Sequence, residues 1–250
     1  MIGKNKIKYI RSLELRKNRE HEGVFVAEGP KVVADLMAVA RPVMTVGTEE
    51  WFASRGAEPG PADAVVTDDE LRRASFLQHP QQVMALFPLP RPAVGAEACG
   101  RGLCLALDKV QDPGNLGTII RVADWFGIST IFCAKGTADA FSPKAVQATM
   151  GSIARVSVVY TDLCALIDAL PPSVPVYATS LDGRNIYEQE LSANGLIVMG
   201  NEGNGVSPEV AARAGRSVYI PSYSPTGAID SLNVAIATAV TCAEFRRRCR

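Results

Sequence analysis

From residue 103 onward, short apolar runs recur, each followed by a polar or glycine-rich loop and then, in most cases, by a stretch of helical character. The runs are Leu103–Leu107, Thr130–Cys133, Val156–Val159, Val176–Ala178, Leu196–Met199 and Val218–Ile220. None alternates apolar with polar residues, so each predicts a strand buried on both faces, as in a parallel sheet covered by helices. Between them, Thr118–Phe126, Ser142–Met150 and Ser231–Arg247 read as helices, with Ser142 as an N-cap before Pro143. Such a sheet binds its ligands at the carboxyl ends of its strands, where strand carbonyls and helix N-termini leave backbone groups free.

Three loops at those ends lack side-chain bulk: Asn115-Leu-Gly-Thr-Ile-Ile-Arg121, Met199-Gly-Asn-Glu-Gly-Asn-Gly-Val-Ser-Pro-Glu209, and Ile220-Pro221 leading into Ser231-Leu232-Asn233. Together they predict an extended ligand held largely by main chain. Asn115 suits a helix N-cap. Arg121 either pairs with an acid such as Asp124 or stays at the loop mouth to meet a phosphate or ribose. The Gly200–Gly205 loop lacks the Lys of a P-loop and carries Glu202, which repels phosphate; a neutral or cationic ligand fits better. Ser231 reads as the N-cap of the terminal helix. No G-x-G-x-x-G follows the first strand, which weighs against a nucleotide-dependent oxidoreductase.

Upstream, Pro88-Leu-Pro-Arg-Pro with the small residues that follow reads as an extended connector. It predicts domains at 1–90 and 102–250 joined by a linker at 91–101. The first is a small α/β unit: a helix over 5–19, strands at Val24–Ala27, Pro42–Val46, Ala64–Val66 and Gln82–Phe87, and helices from Pro30 to about Val39, over Glu49–Ser54 and over Asp68–Ala74.

The chain has 250 residues with 26 basic and 26 acidic groups, so any nucleic-acid contact needs a local patch. Lys4, Lys6, Lys8, Arg11, Arg16, Lys17 and Arg19 against Glu14 and Glu20 supply one candidate, a solvated helix face being the alternative. Arg246, Arg247, Arg248 and Arg250 form a second cluster. The six cysteines show no C-x-x-C pair, and His21 and His79 stand far apart, so no metal site is expected. Scattered thiols and no apolar stretch of membrane-spanning length predict a cytoplasmic protein.

The three loops, taken in order, resemble the signature motifs of the SpoU/TrmH family of RNA ribose 2′-O-methyltransferases, within the SPOUT class. N-x-G-x-x-x-R matches Asn115, Gly117 and Arg121; [LIV]-M-G-N-E-x-x-G-[LIV]-S matches Val198 through Ser207; I-P…S-L-N-V-[AS] matches Ile220-Pro221 and Ser231–Ala235. Lys6-Tyr-Ile-Arg-Ser-Leu and Phe25-Val-Ala-Glu-Gly29 resemble the family's N-terminal substrate-binding domain. One departure stands out: nine residues, Ser222–Asp230, separate Pro221 from Ser231, a longer spacing than the family's and without its Met after the Pro.

The resemblance implies a parallel-sheet domain with a deep trefoil knot, and S-adenosylmethionine bound between the second and third motifs by Thr179, Gly200, Asn201, Gly203, Ile220 and Leu232. It also implies a homodimer packed through the terminal and first-motif helices. Arg121, Asn115, Ser231, Asn233 and Glu202 are the implied catalytic set. Family models assign proton removal to the Arg; a guanidinium with a pKa above ~12 serves better as a phosphate clamp that orients the hydroxyl. Lys4, Lys6, Lys8 and Arg11 are the expected RNA contacts. The expected substrate is large-subunit rRNA, with tRNA methylation or an inactive RNA-binding assembly factor as alternatives.

Overall fold

The computed structural model describes residues 2–56, 58–91, 93–224 and 231–248, in two compact units. One comprises Met1–Arg91 with Asp139–Ala154, the other Pro92–Ala138 with Arg155–Arg250.

The first unit holds strands β1 (Val24–Glu28), β2 (Met44–Gly47), β3 (Ala64–Val65) and β4 (Val83–Pro88), in the order β1-β4-β2-β3. β4 runs antiparallel to both neighbours, while β2 and β3 are parallel. The single helix expected over 5–19 is two, Lys4–Ser12 and Arg16–Glu22. The break has a physical cause. Leu13 turns fully into the core, and the carbonyls of Leu13 and Glu14 that leave the helix ladder are taken by Nη1 of the buried Arg19, both at 2.6 Å. Nη2 of Arg19 pairs with Asp139. The segment Asp139–Ala154 follows a strand of the other unit in sequence yet packs with this one. Its helix Pro143–Ala148 lies on β1, and the Phe141 ring stands 5.1 Å from that of Phe25.

The second unit is built on β5 (Leu103–Leu107), β6 (Thr130–Cys133), β7 (Ser157–Tyr160), β8 (Val176–Asn185), β9 (Gly195–Met199) and β10 (Arg216–Tyr219). They form one sheet in the order β10-β8-β9-β5-β6-β7, and every neighbouring pair is parallel. All residues of β5 and β9 are buried, which their unbroken apolar sequences require of central strands covered on both faces. Leu107 is in register with both Met199 and Cys133, so the loops leaving β9, β5 and β6 start side by side.

β8 is longer than the apolar run suggests. Ser217 of β10 pairs with Ala178, but the next residue, Val218, pairs with Arg184, so the ladder skips the stretch from Thr179 to Gly183. The connector is also not extended throughout, because Ala98–Arg101 forms a helical turn. Helix Val234–Arg248 packs against helix Pro113–Trp125, and Arg246 donates to the carbonyls of Phe126 (2.7 Å) and Gly127 (3.1 Å). Among the described residues no helix is long and apolar enough to cross a membrane, and no three His, Cys, Asp or Glu gather as a metal site.

Candidate active site

The first-motif helix starts earlier than its apolar pattern suggests. Pro113 occupies its first turn, and Asp112, not Asn115, is the N-cap: its Oδ1 accepts the Asn115 backbone N–H at 2.8 Å. Asp-Pro is well suited to this start, since the carboxylate accepts an orphan N–H and Pro brings a helical φ without needing a partner. The Asn115 side chain is thereby free for other work. Its Nδ2 donates to Glu202 Oε1 at 3.0 Å, and its Oδ1 accepts Asn233 Nδ2 at 3.0 Å. One residue from each motif loop thus joins a single hydrogen-bonded relay, although the three lie up to 118 positions apart in sequence.

Asn233, not Ser231, caps the terminal helix, its Oδ1 accepting the N–H groups of Ala235 (3.0 Å) and Ile236 (3.3 Å). Ser231 and Leu232 are exposed beside it.

The second loop is organised by Asn201. Its backbone exchanges two hydrogen bonds with Gly205, each 2.9 Å, and its Oδ1 accepts the N–H groups of Gly203 (2.9 Å) and Asn204 (3.2 Å). Its Nδ2 donates to the Lys109 carbonyl at 2.8 Å. Gly200 fits where no other residue does, because a Cβ there would stand 2.1 Å from the Gly205 carbonyl carbon.

The second- and third-motif loops, with the end of β8, wall a cavity of about 840 Å³. All six residues expected to hold the cofactor (Thr179, Gly200, Asn201, Gly203, Ile220 and Leu232) line it, as do Glu202 and Ser231. Met199, Val206 and Val234 give it apolar wall, and Asp182 and Glu202 set two carboxylates around it, which suits a cation. The volume falls in the range of small-molecule and cofactor sites. The residues therefore fit S-adenosylmethionine: apolar surface for the adenine, close backbone at Gly200, and acids compatible with a sulfonium and an ammonium.

Arg121 does not line the cavity. It is exposed in the helix Pro113–Trp125 and makes no hydrogen bond or ion pair with a described residue. Asp124, a candidate partner for it, pairs instead with Arg155 at 2.8 Å. Most of the longer third-motif segment, residues 225–230, lies outside the described residues, as do Cys249 and Arg250.

Of the expected RNA contacts, Lys4 and Lys8 are exposed. Lys6 donates to the Ala62 carbonyl at 2.9 Å. Arg11 donates to the Ser75 carbonyl and lies over the Phe76 ring, 4.8 Å from its centroid. Sequence reasoning missed Asp108, a buried carboxylate that accepts the Ser207 N–H at 2.7 Å and ties the second loop to the end of β5. Its one signal was position, as the first polar residue after an apolar strand. Arg216 was missed too. It lines the cavity with its guanidinium over Tyr177, donating to that hydroxyl and to the Glu190 carbonyl at 3.0 Å each.

Comparison with known proteins decides the family. Residues 102–243 match the model of the SpoU rRNA Methylase family. The chain belongs to that family. Residues 4–85 of this SpoU methylase match the MRM3-like substrate binding domain. It is 30% identical over 246 residues to the 23S rRNA (guanosine(2553)-2′-O)-methyltransferase RlmP of Bacillus subtilis (strain 168), covering 96% of each chain. A TrmH-family protein from Porphyromonas gingivalis superposes with a TM-score of 0.86 at 42% identity, covering 99% of both chains. An rRNA methyltransferase from Sinorhizobium meliloti, solved with AdoMet bound, gives 0.85 at 30% identity over 100% of this chain and 97% of that one. This SpoU methylase is an S-adenosylmethionine-dependent RNA ribose 2′-O-methyltransferase.

Proposed function

We propose that the enzyme methylates the 2′-hydroxyl of a guanosine ribose in 23S ribosomal RNA. The carrying observation is the relay Glu202–Asn115–Asn233, which ties the first-motif helix to the second and third motif loops, of which Glu202, Ser231 and Leu232 line the cavity. The full-length similarity to RlmP supports the choice of RNA. In this reading residues 1–90 bind RNA and 102–250 carry the chemistry, with 91–101 between them.

S-adenosylmethionine supplies the electrophilic methyl group when bound. Thr179, Gly200, Asn201, Gly203, Ile220 and Leu232 hold it, and the carboxylate of Glu202 structures the loop beside it. Asn115 and Asn233 fix the loops against each other, and Ser231 faces the incoming nucleotide. Arg121, with no partner of its own among the described residues, clamps the phosphate next to the target ribose and orients the hydroxyl. Its guanidinium stays protonated, and the proton leaves through phosphate or water. The reading invokes no metal. It includes the deep trefoil knot of the SPOUT class, for which the six-stranded parallel sheet is the support.

A homodimer belongs to the same reading. Trp125 is 84% exposed, Ile236 53% and Leu232 49%, which leaves apolar surface on and beside the first-motif and terminal helices. A monomer at micromolar concentration with full activity would sink that part. Free thiols at Cys99, Cys104, Cys133, Cys164 and Cys242 support a reducing, cytoplasmic setting.

The test is transfer of a tritiated methyl group into unmodified 23S rRNA, followed by alkaline hydrolysis. A 2′-O-methyl group cannot attack the adjacent phosphodiester, so one alkali-resistant dinucleotide with guanosine on its 5′ side is expected. Label in a base overturns the reaction, and label only in tRNA overturns the target. RNA binding without transfer would instead mark an inactive assembly factor.

A further inference from the structure

Lys109 occupies a position where glycine is at home. Its φ is 62°, in the left-handed region, and it is the one non-glycine residue with positive φ among the described residues of its unit. The backbone there is needed, since the Lys109 carbonyl receives Asn201 Nδ2. A glycine would make the same turn and the same bond without strain, so the backbone alone does not call for a lysine.

The side chain runs beside a loop that carries a second lysine. A Cβ placed on Gly136 would lie 3.5 Å from Lys109 Cγ, so the lysine stem passes beside Gly136, and Lys135 precedes that glycine. Leu107 and Cys133 are register partners on adjacent parallel strands, and each lysine stands two residues beyond its strand end. Both are exposed, and neither ammonium group has a hydrogen bond or ion pair with a described residue. The acids of the β5 loop are committed elsewhere, Asp108 to the Ser207 N–H and Asp112 to the Asn115 N–H.

We propose that Lys109 and Lys135 form a phosphodiester-binding pair that receives the RNA strand at the carboxyl edge of the sheet, beside the second-motif loop. Compact ammonium groups on an open edge bind backbone phosphate without reading sequence. The proposal rests on the RNA methyltransferase reading and adds a phosphate site to it.

The test compares the wild type with Lys109→Gly, with the double variant Lys109→Gly/Lys135→Gln, and with Lys109→Arg/Lys135→Arg. Each is assayed for 23S rRNA binding across a salt series, S-adenosylmethionine affinity, thermal melting and methyl transfer. Lys109→Gly should melt no lower than wild type, because it relieves strain. The double variant should lower the log–log salt slope of RNA binding by roughly 1.4, about 0.7 for each phosphate no longer neutralised on a single strand, with cofactor affinity unchanged. The double Arg variant should keep the slope. A double variant with the wild-type slope, or a Lys109→Gly protein that loses stability, overturns the pair while wild-type methyl transfer stands. A wild type that methylates no RNA overturns the underlying reading instead.

Discussion

Gly200→Ala tests whether the second-motif loop is a rigid wall of the cofactor cavity. The new Cβ would lie 2.1 Å from the Gly205 carbonyl carbon, 2.3 Å from the Val206 nitrogen and 2.6 Å from the Gly205 oxygen. All three are backbone atoms, and ordinary contacts of this kind begin at 3.4 Å. The end of β9 and the Gly205–Val206 segment must therefore part by more than about 1 Å, in an interior that transmits small shifts. That segment is tied down by the paired Asn201–Gly205 bonds and by Asp108 on the Ser207 N–H. Overpacking costs about 1–3 kcal/mol and each broken backbone hydrogen bond about 1 kcal/mol, so the loop opens at a cost on the order of 2–4 kcal/mol. If half of that falls on the bound state, S-adenosylmethionine affinity drops roughly 5- to 30-fold. Titration calorimetry with parallel thermal melting measures both parts. A folded variant that binds within about two-fold of wild type would refute the rigid-wall argument.

Arg121→Ala should lower methyl transfer by about 10²-fold or more while cofactor affinity holds, because the residue is outside the cavity wall. Arg121→Lys should rescue poorly, since an ammonium cannot make a planar two-pronged phosphate contact; near-normal turnover would refute the clamp. Burial pushes the Glu28 carboxyl above the usual range, against hydrogen bonds from Ser75 and Phe76 and the charge of Arg11. The folded state then holds that proton more tightly than the unfolded one, so this group's contribution weakens as pH rises from the unfolded value through the folded one. Glu28→Gln should accordingly gain in melting temperature relative to wild type at pH 7, a gain that shrinks towards about pH 4; a lower Tm at pH 7 would count against it. Changing the exposed Lys4, Lys8 and Lys17 to Gln should lower the salt slope of RNA binding by roughly 0.7 for each phosphate no longer neutralised, with melting unchanged. An unaltered slope would return these lysines to a solvated face.

The second domain was largely legible because its strands are buried on both faces and so read as unbroken apolar runs. Leu103–Leu107 needs no partner to be recognised. What sequence hid was anything decided by pairing. β8 continues to Asn185 through polar residues, Leu181-Asp182-Gly183-Arg184 among them, because β10 takes up the ladder again at Arg184. No periodicity encodes a resumption of that kind. The two misplaced caps have a similar root. Asn115 and Ser231 are sound N-cap types, but Asp112 before Pro113 and Asn233 before Val234 win. Asn115 is better used bridging Glu202 and Asn233, and Asn233 serves the relay and the cap with different atoms.

Charge was the least legible property, for a physical reason. A run of basic residues has one appearance in sequence, whether its members point to water or into the fold. Arg19, within the basic run that includes the expected RNA contacts, is 2% exposed and holds the kink between the first two helices. Arg11 carries its charge above Phe76 and close enough to the buried Glu28 to act on its carboxyl. Arg246 closes the end of the first-motif helix, and Arg247 and Arg248 both pair with Glu244, holding its carboxyl down at about 2. The planar guanidinium explains the division. It satisfies several carbonyls at once and tolerates burial, whereas an ammonium is more strongly hydrated and stays outside. These arginines of the two clusters are thus spent on structure, and the cations assigned to RNA are the exposed Lys4, Lys8 and Lys17 in one unit and Lys109, Lys135 and Arg121 in the other. The Arg121 side chain, exposed and with no described carbonyl or carboxylate to hold it, shares that freedom with Arg41, Arg73, Arg91 and Arg184. Of these only Arg121 stands in the helix Pro113–Trp125, whose Asn115 bonds to both other motif loops, and that placement is the structural argument that its partner is the substrate.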